Sequence, residues 1–518
     1  MPRGAAVVLD RRVVVLDGGA VLLGGAPPRM VRLAPRARRL LAAGRFDVTD
    51  ATSAALARRL LDAGIVHPAG APGAPGPGDV TVVVPVKDRT DPLRRMLAAL
   101  VTGTPGLGGI VVVDDGSADP GAVRAVATGF GARVLRHDVA RGPAAARNAG
   151  LAASMITFGG CSGSSTEQCA PADSDLAAYA TPLVAFLDSD VVPEPGWLDP
   201  LLACFADPAV ALVAPRIVAL APVHGWLGRY EAVRSSLDLG PDPALVVPRS
   251  RVAYVPSAAM VLRREALLDG ARGTLRGFDE GMRVAEDVDL VLRLHEAGWR
   301  VRYEPASRVA HDHRTTLWAW WSRKAYYGTG AAPLALRHPG SVPPMVLSPW
   351  SAAVSGLLLP GRPRAALAAG VVGLVAAERL ARGIEGVRRP RALAARLVAL
   401  GAVGATAQTA EAVTRHYWPV SALACVLSRR ARRTVAVVAL AEGVVDWWRH
   451  RDRDEHARPA LPGYLLAHRL DDLAYGAGLW WGAIRHRTLE PLKPVSAAPR
   501  GRTRPRGPRL GGPSTPAR

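Results

Sequence analysis

From Val80 onward, short apolar runs alternate with helical patterns, and this alternation constrains the fold more than any other feature of the chain. Val80-Thr-Val-Val-Val-Pro85 reads as a buried strand, Asp91–Val101 as a helix and Gly109–Asp115 as a second strand. A helix over Ala122–Thr128, a short strand over Arg133–Arg136 and a helix over Pro143–Ala153 follow. Strands alternating with helices predict an α/β fold, a doubly wound and mostly parallel sheet. Ligands of such sheets gather in a crevice at the carboxyl ends of the strands.

One strand carries more chemistry than the others. Leu183-Val-Ala-Phe-Leu187 is bounded by Thr181-Pro182 and Pro193 and runs into Asp188-Ser-Asp190. Two carboxylates so close repel each other unless a cation lies between them. Hard oxygen ligands suit Mg²⁺ or Mn²⁺, and an ion so held could grip a diphosphate. Asp-x-Asp is also a common polar strand exit, so the flanking chain has to decide between the two.

The length, 518 residues, predicts about two to four domains. A net charge of +21 first suggests nucleic acid or anionic lipid. Yet only Lys87, Lys324 and Lys493 among the 65 basic residues are lysine, and Asn148 is the single asparagine. Ala, Gly, Arg and Pro dominate, as codon bias in a GC-rich genome would produce. The charge is therefore no argument for nucleic acid, and no nucleic-acid recognition motif is present. Cysteines at 161, 169, 204 and 425 have neither zinc spacing nor a disulfide framework. Cys161 and Cys169 share a loop and could pair, but free thiols in a reducing compartment are expected. The N-terminus meets Asp10 and Arg11 too soon for a signal-peptide core, so the catalytic part is expected in the cytoplasm.

Residues 1–68 read as a small α+β domain. Val13–Leu16 and Ala20–Leu23 form a hairpin around Asp17-Gly-Gly19, and helices follow at Arg36–Leu41 and Ser53–Ala63. The layout resembles small winged-helix, PqqD-type peptide-binding domains; a domain that only braces its neighbour fits equally well. Residues 69–79 are a Pro/Gly linker. The α/β domain spans 80–335, with a Gly/Ser-rich insertion loop over 154–179. Residues 340–485 read as helices whose apolar runs fall short of the roughly 18 to 20 residues of a membrane span. Arg362, Arg364, Arg379, Arg382, Arg388 and Arg389 would suit anionic headgroups at the inner membrane face. One or two true spans remain open. A basic tail, 486–518, is expected to be disordered.

Five stretches, Val82-Val-Val-Pro-Val-Lys-Asp88, Val113-Asp-Asp-Gly-Ser117, Ala146-Arg-Asn-Ala-Gly150, Phe186-Leu-Asp-Ser-Asp190 and Ala285-Glu-Asp-Val-Asp-Leu290, resemble in order the motifs of family-2 nucleotide-sugar glycosyltransferases of GT-A fold. Gly142-Pro-Ala-Ala-Ala-Arg147 and Arg323-Lys-Ala-Tyr-Tyr-Gly-Thr329 look closer still to the mycofactocin biosynthesis glycosyltransferases. The 154–179 insertion departs from that pattern.

The resemblance implies roles. Asp115, with Asp114 beside it, would accept hydrogen bonds from base or ribose, and Pro85 to Asp88 would line the same pocket. Arg147 and Asn148 would face the nucleotide sugar. Asp190 would bind the metal, Asp188 the metal or a sugar, and His311 would add a metal or diphosphate ligand. Asp287 would be the base, held ionised at a helix N-terminus; capping that helix is its plain structural alternative. Glu286, Arg314, Trp321 and Arg323 would lie on the acceptor and diphosphate side, although a Gln-x-x-Arg-Trp pattern is absent. The implied enzyme is an inverting, Mn²⁺- or Mg²⁺-dependent hexosyltransferase. It would move glucose from UDP-glucose to a peptide-derived redox cofactor precursor and build a short β-linked glucan. A cell-envelope transferase acting on a lipid-linked or polysaccharide acceptor is the alternative.

Overall fold

A computed structural model describes residues 1–154, 181–268, 276–359, 361–454 and 457–497. Apart from Ser154, the insertion expected over 154–179, with Cys161 and Cys169, lies outside the described residues. Cys204 and Cys425 are free thiols.

A nine-stranded sheet organises the molecule. Leu183–Leu187, Val80–Val86, Gly109–Asp115 and Arg133–His137 are neighbours and run parallel. Ala259–Arg263 then enters antiparallel beside Leu183–Leu187, followed by Val210–Ala219 and Arg300–His311, which are parallel to each other. The α/β class expected from the alternation is the one observed. Arg300–His311 is one long strand with a register shift in its middle. Pro305 lies at that shift, and proline has no N–H to give to a ladder.

Alternation along the strands builds two cores. Val82, Val84 and Val86 pack with Leu93, Met96 and Leu97 of the Thr90–Gly103 helix on one face. Val83, Val113, Val184 and Phe186 pack with Ala146, Leu151 and Leu290 on the other. Strands covered on both faces need apolar residues at every position, which is why these runs show no polar alternation. Each buried Val or Leu is worth about 1.5–3 kcal/mol.

The N-terminal residues form two three-stranded sheets rather than one hairpin: Arg45–Asp47, Ala6–Leu9 and Val66–Pro68, and the Val14–Leu16 hairpin extended by Arg29–Arg32. The helix Ala51–Asp62 opens on a cap in which Asp50 accepts from the Ser53 N–H at 2.7 Å. Arg300 joins this unit to the large sheet by pairing with both Asp62 and Asp207.

Beyond 340 the chain is mainly helical. Pro390–His416 is the one described helix long and apolar enough to cross a membrane, at a mean hydropathy of 1.2. Residues 486–497, expected to belong to a disordered tail, are among the described residues. Val495–Ser496 pairs with Val346–Leu347, and the Tyr417 hydroxyl donates to the Leu492 carbonyl at 2.6 Å. Backbone pairing holds this short stretch despite its basic, proline-rich continuation.

The helix Leu461–Arg485 docks against Leu317–Thr329 through glycines on both. A Cβ on Gly478 would stand 1.8 Å from the Ala325 carbonyl oxygen, and one on Gly328 would stand 2.2 Å from that of Tyr475. Neither contact can be relieved by a rotamer change, because the obstructing atoms are backbone. Gly478→Ala is therefore expected to push the helices apart at a cost of about 2–3 kcal/mol or more. A melting curve at or above that of the parent protein would contradict this packing.

Candidate active site

The crevice at the carboxyl ends of the parallel strands begins with the turn Val113-Asp-Asp-Gly-Ser117. Asp114 is buried; it accepts from the Ser117 N–H at 2.9 Å and pairs with Arg136. It holds the turn and has no face toward the crevice, which corrects its expected place beside the nucleotide. Asp115 accepts from the Arg141 and Gly142 N–H groups at 2.9 and 2.8 Å and contacts His137 Nδ1 at 2.8 Å. Burial would raise its pKa, but these bonds outweigh it and hold the carboxyl below its ordinary value. Asp88, at a φ of 55°, accepts from the Ala118 N–H at 2.7 Å, and its own N–H donates to the Ser117 hydroxyl at 2.9 Å. Half-buried Pro85 completes this corner.

Arg147 links the two halves of the site. Its Nη2 donates to Asp188 at 2.7 Å and its Nη1 to Glu286 at 3.0 Å, with its guanidinium 5.3 Å from the Phe278 ring centre. The side chain is 3% exposed. Arg147 was expected to face the nucleotide sugar; its guanidinium is paired with two carboxylates. Glu286, expected on the acceptor side, is likewise buried in this pair. Burial raises the pKa of Asp188 against the pull of Arg147, and neighbouring Asp190 raises it further. Burial and then Asp287 raise that of Glu286. Asn148 exchanges bonds of 2.8 Å with both backbone groups of Phe278, so it clamps that loop.

Asp190 meets His311 because Val191–Pro193 pairs with the end of the Arg300–His311 strand, Val191 opposite His311. His311 Nε2 lies 3.7 Å from Asp190 Oδ1. Two ligands about 2.1 Å from one small divalent ion stand roughly 3–4 Å apart, so this O/N set fits Mg²⁺ or Mn²⁺. Arg89 also pairs with Asp190. A second group, Glu442, His468 and Asp472, brings ligand atoms within 4.8 Å, but Arg469 already pairs with Glu442 and Asp472 there.

Asp287 opens the helix Glu286–Glu296, whose preceding residue Ala285 has a φ of 64°. Left-handed alanine is strained and persists only where its surroundings enforce it. The Asp287 carboxylate accepts from the Ser257 and Val288 N–H groups at 2.9 and 2.8 Å. On the adjoining helix, exposed Trp318 stacks on Trp321, ring centres 5.9 Å apart, and Arg323 lies 5.7 Å from the rings of Tyr326 and Tyr327. The pKa of Arg314 is lowered by burial and then by the charges of Arg323 and Arg89.

Sequence reasoning missed Arg89 and Lys324. Arg89 directly follows a strand-end motif. Lys324 is one of three lysines in an arginine-biased chain, a signal in itself; it is buried and pairs with Glu231 at 2.8 Å and Asp471 at 3.4 Å.

The sequence profile of glycosyl transferase family 2 matches residues 81–155, and that of glycosyl transferase family group 2 matches residues 183–399. Pre-mycofactocin glycosyltransferases from two strains of Mycobacterium tuberculosis are 48% identical over 499 residues, covering 95% of this chain and 98% of theirs. The chain is a family-2 glycosyltransferase. Its other curated relatives include the succinoglycan biosynthesis protein ExoU of Rhizobium meliloti, 30% identical over 44% of this chain and 60% of that one. A mannosyltransferase of Pyrobaculum calidifontis, solved with GDP-Man and Mn²⁺, aligns over 73% of this chain and 90% of its own at 20% identity and a TM-score of 0.35.

In this glycosyltransferase Arg147 is the sole basic side chain paired with both Asp188 and Glu286 among the described residues. Arg147→Met would leave two buried carboxylates without their cation, at about 3–5 kcal/mol. Unpaired, both would have pKa values raised above those of the unfolded chain. The penalty is then largest at neutral pH and shrinks as the carboxyls take up protons. Thermal melts should show the deficit narrowing as pH falls from neutral into the acid range; a pH-independent deficit would contradict it.

Proposed function

We propose that the protein transfers glucose from UDP-glucose to a mycofactocin precursor, with inversion, and extends it as a short β-linked glucan. The observation that carries this reading is Asp287 on a helix N-terminus, joined through Glu286 and Arg147 to the Asp188–Asp190 strand exit. Binding alone needs no base; a group transfer does. The 48% identity to the pre-mycofactocin glycosyltransferases supports the acceptor.

In this reading Asp287 takes the proton of the acceptor hydroxyl as its oxygen attacks the anomeric carbon. The carbon–oxygen bond to the diphosphate breaks on the opposite face, and its electron pair leaves with UDP. The backbone N–H groups of Ser257 and Val288 keep the Asp287 carboxylate aimed. Asp190 and His311, with Asp188, would hold a divalent ion, which supplies Lewis-acid neutralisation of the departing charge. Asp115 and Asp88 shape the nucleotide corner, and Asp115 does so by fixing the loop 137–142. The Trp318–Trp321 stack would offer an aromatic face to sugar rings, and Arg314 and Arg323 would meet the diphosphate.

The test is to incubate the full chain and Mn²⁺ with a panel of nucleotide sugars, with and without the precursor, and to follow product masses. Serial hexose additions from UDP-glucose alone are expected. Asp287→Asn should cut transfer by about 10²–10⁴-fold while UDP binding by calorimetry stays unchanged. Near-normal turnover in that variant would remove Asp287 as the base.

A cytoplasmic site at an anionic membrane face belongs to the same reading. Leu367, Leu374, Val426 and Leu427 are 72–76% exposed on the C-terminal helices, and Arg379, Arg382, Arg388 and Arg389 lie exposed nearby in the chain. This apolar face also keeps a lipid-linked acceptor as the second reading. The chain should sediment with vesicles containing phosphatidylglycerol, and less so as salt rises. Equal recovery with neutral vesicles at every salt concentration would leave the arginines without that role.

A further inference from the structure

Asp190 carries two partners of opposite kind. His311 is a neutral ligand type at 3.7 Å, while Arg89 is a cation in direct contact with the same carboxylate. A divalent ion and a guanidinium cannot both use that oxygen pair fully, because each would lose much of its gain to the repulsion between them. Arg147 on Asp188 poses the same problem but cannot yield. It is 3% exposed and fixed by two carboxylates and an aromatic ring. Arg89 can yield. Its side chain is 39% exposed, Asp190 is its one ion-pair partner among the described residues, and it precedes the Thr90–Gly103 helix at the mouth of the crevice.

Among the described residues no second carboxylate pairs with Arg89. A guanidinium turned out of that pair, at the mouth of the crevice, is left without a counter-charge unless an anion joins it. A diphosphate is such an anion, and arginine meets its oxygens bidentately.

Building on the function proposed above, we propose that Arg89 is a resident counter-ion of Asp190 that gives way to the divalent metal and then grips the diphosphate of the nucleotide. The ion and the nucleotide are thereby coupled. The ion alone must displace Arg89 with nothing to receive it; with the nucleotide present, the displaced guanidinium gains a partner. Metal and nucleoside diphosphate each raise the affinity for the other by the same factor, as linkage requires.

The experiment is calorimetric titration of the full chain with Mn²⁺ alone, with UDP alone, and with UDP in saturating Mn²⁺, for the parent protein, Arg89→Gln and Arg89→Lys. Thermal melts of each establish that it is folded. Arg89→Gln is expected to bind Mn²⁺ alone about tenfold more tightly, since its competitor is gone, and UDP with Mn²⁺ about tenfold more weakly. Arg89→Lys, which keeps the charge and loses the fork, should fall between. These opposite signs cannot come from a merely structural loss, which would weaken both. Weakened or unchanged Mn²⁺ binding in folded Arg89→Gln overturns the proposal while the metal-and-nucleotide reading stands. A parent protein that binds neither Mn²⁺ nor UDP overturns both.

Discussion

The site depends on one buried ion triad, Asp188–Arg147–Glu286. Asp188 ends a strand of the parallel half of the sheet. Glu286 opens a helix that follows the antiparallel strand Ala259–Arg263. Arg147 stands on the helix between them and fixes both to one point. Burying a charge without a partner is prohibitive, so the three side chains can only be buried together. Their mutual satisfaction sets the distance between the strand exit and Asp287, the neighbour of Glu286. Ala285 in its left-handed conformation is part of the same constraint, because it turns the chain so that both acidic residues face inward.

A second constraint acts from outside the sheet. The helix carrying Trp321 and Arg323 is held by Leu461–Arg485, and the glycines along that crossing allow backbone to touch backbone. Lys324, held by Glu231 and Asp471, ties the same helix to two others. The C-terminal helices therefore brace the helix that carries the Trp318–Trp321 stack, whatever surface they present elsewhere.

Much of this was legible in the chain. The apolar runs had to be strands because they are short, β-branched and closed by Gly, Pro or Asp. Carboxylates had to end them at the crevice because doubly wound sheets gather ligands there. The family resemblance singled out Asp188, Asp190, His311 and Asp287, and the fold brings His311 within 3.7 Å of Asp190. The direction in which each carboxylate faces was not legible. Asp114 and Asp115 are adjacent and alike in sequence, yet one anchors a turn through Arg136 and the other fixes a loop through two N–H groups. A strand's alternation says that neighbours point to opposite sides, not what waits on either side.

The sequence by itself determined the α/β class, the order of the motifs, the family resemblance and the residue types able to hold a cation or accept a proton. These depend on local periodicity and on chemistry that travels with the residue. Tertiary structure alone decided which arginine meets which aspartate. Arg89 and Asp190 are 101 residues apart, and Arg147 and Glu286 are 139 apart. In a chain with 65 basic residues, any of many arginines could have served. Only strand register, such as Val191 opposite His311, and helix docking choose the partner, because pairing energy falls away within a few ångströms while sequence separation costs little.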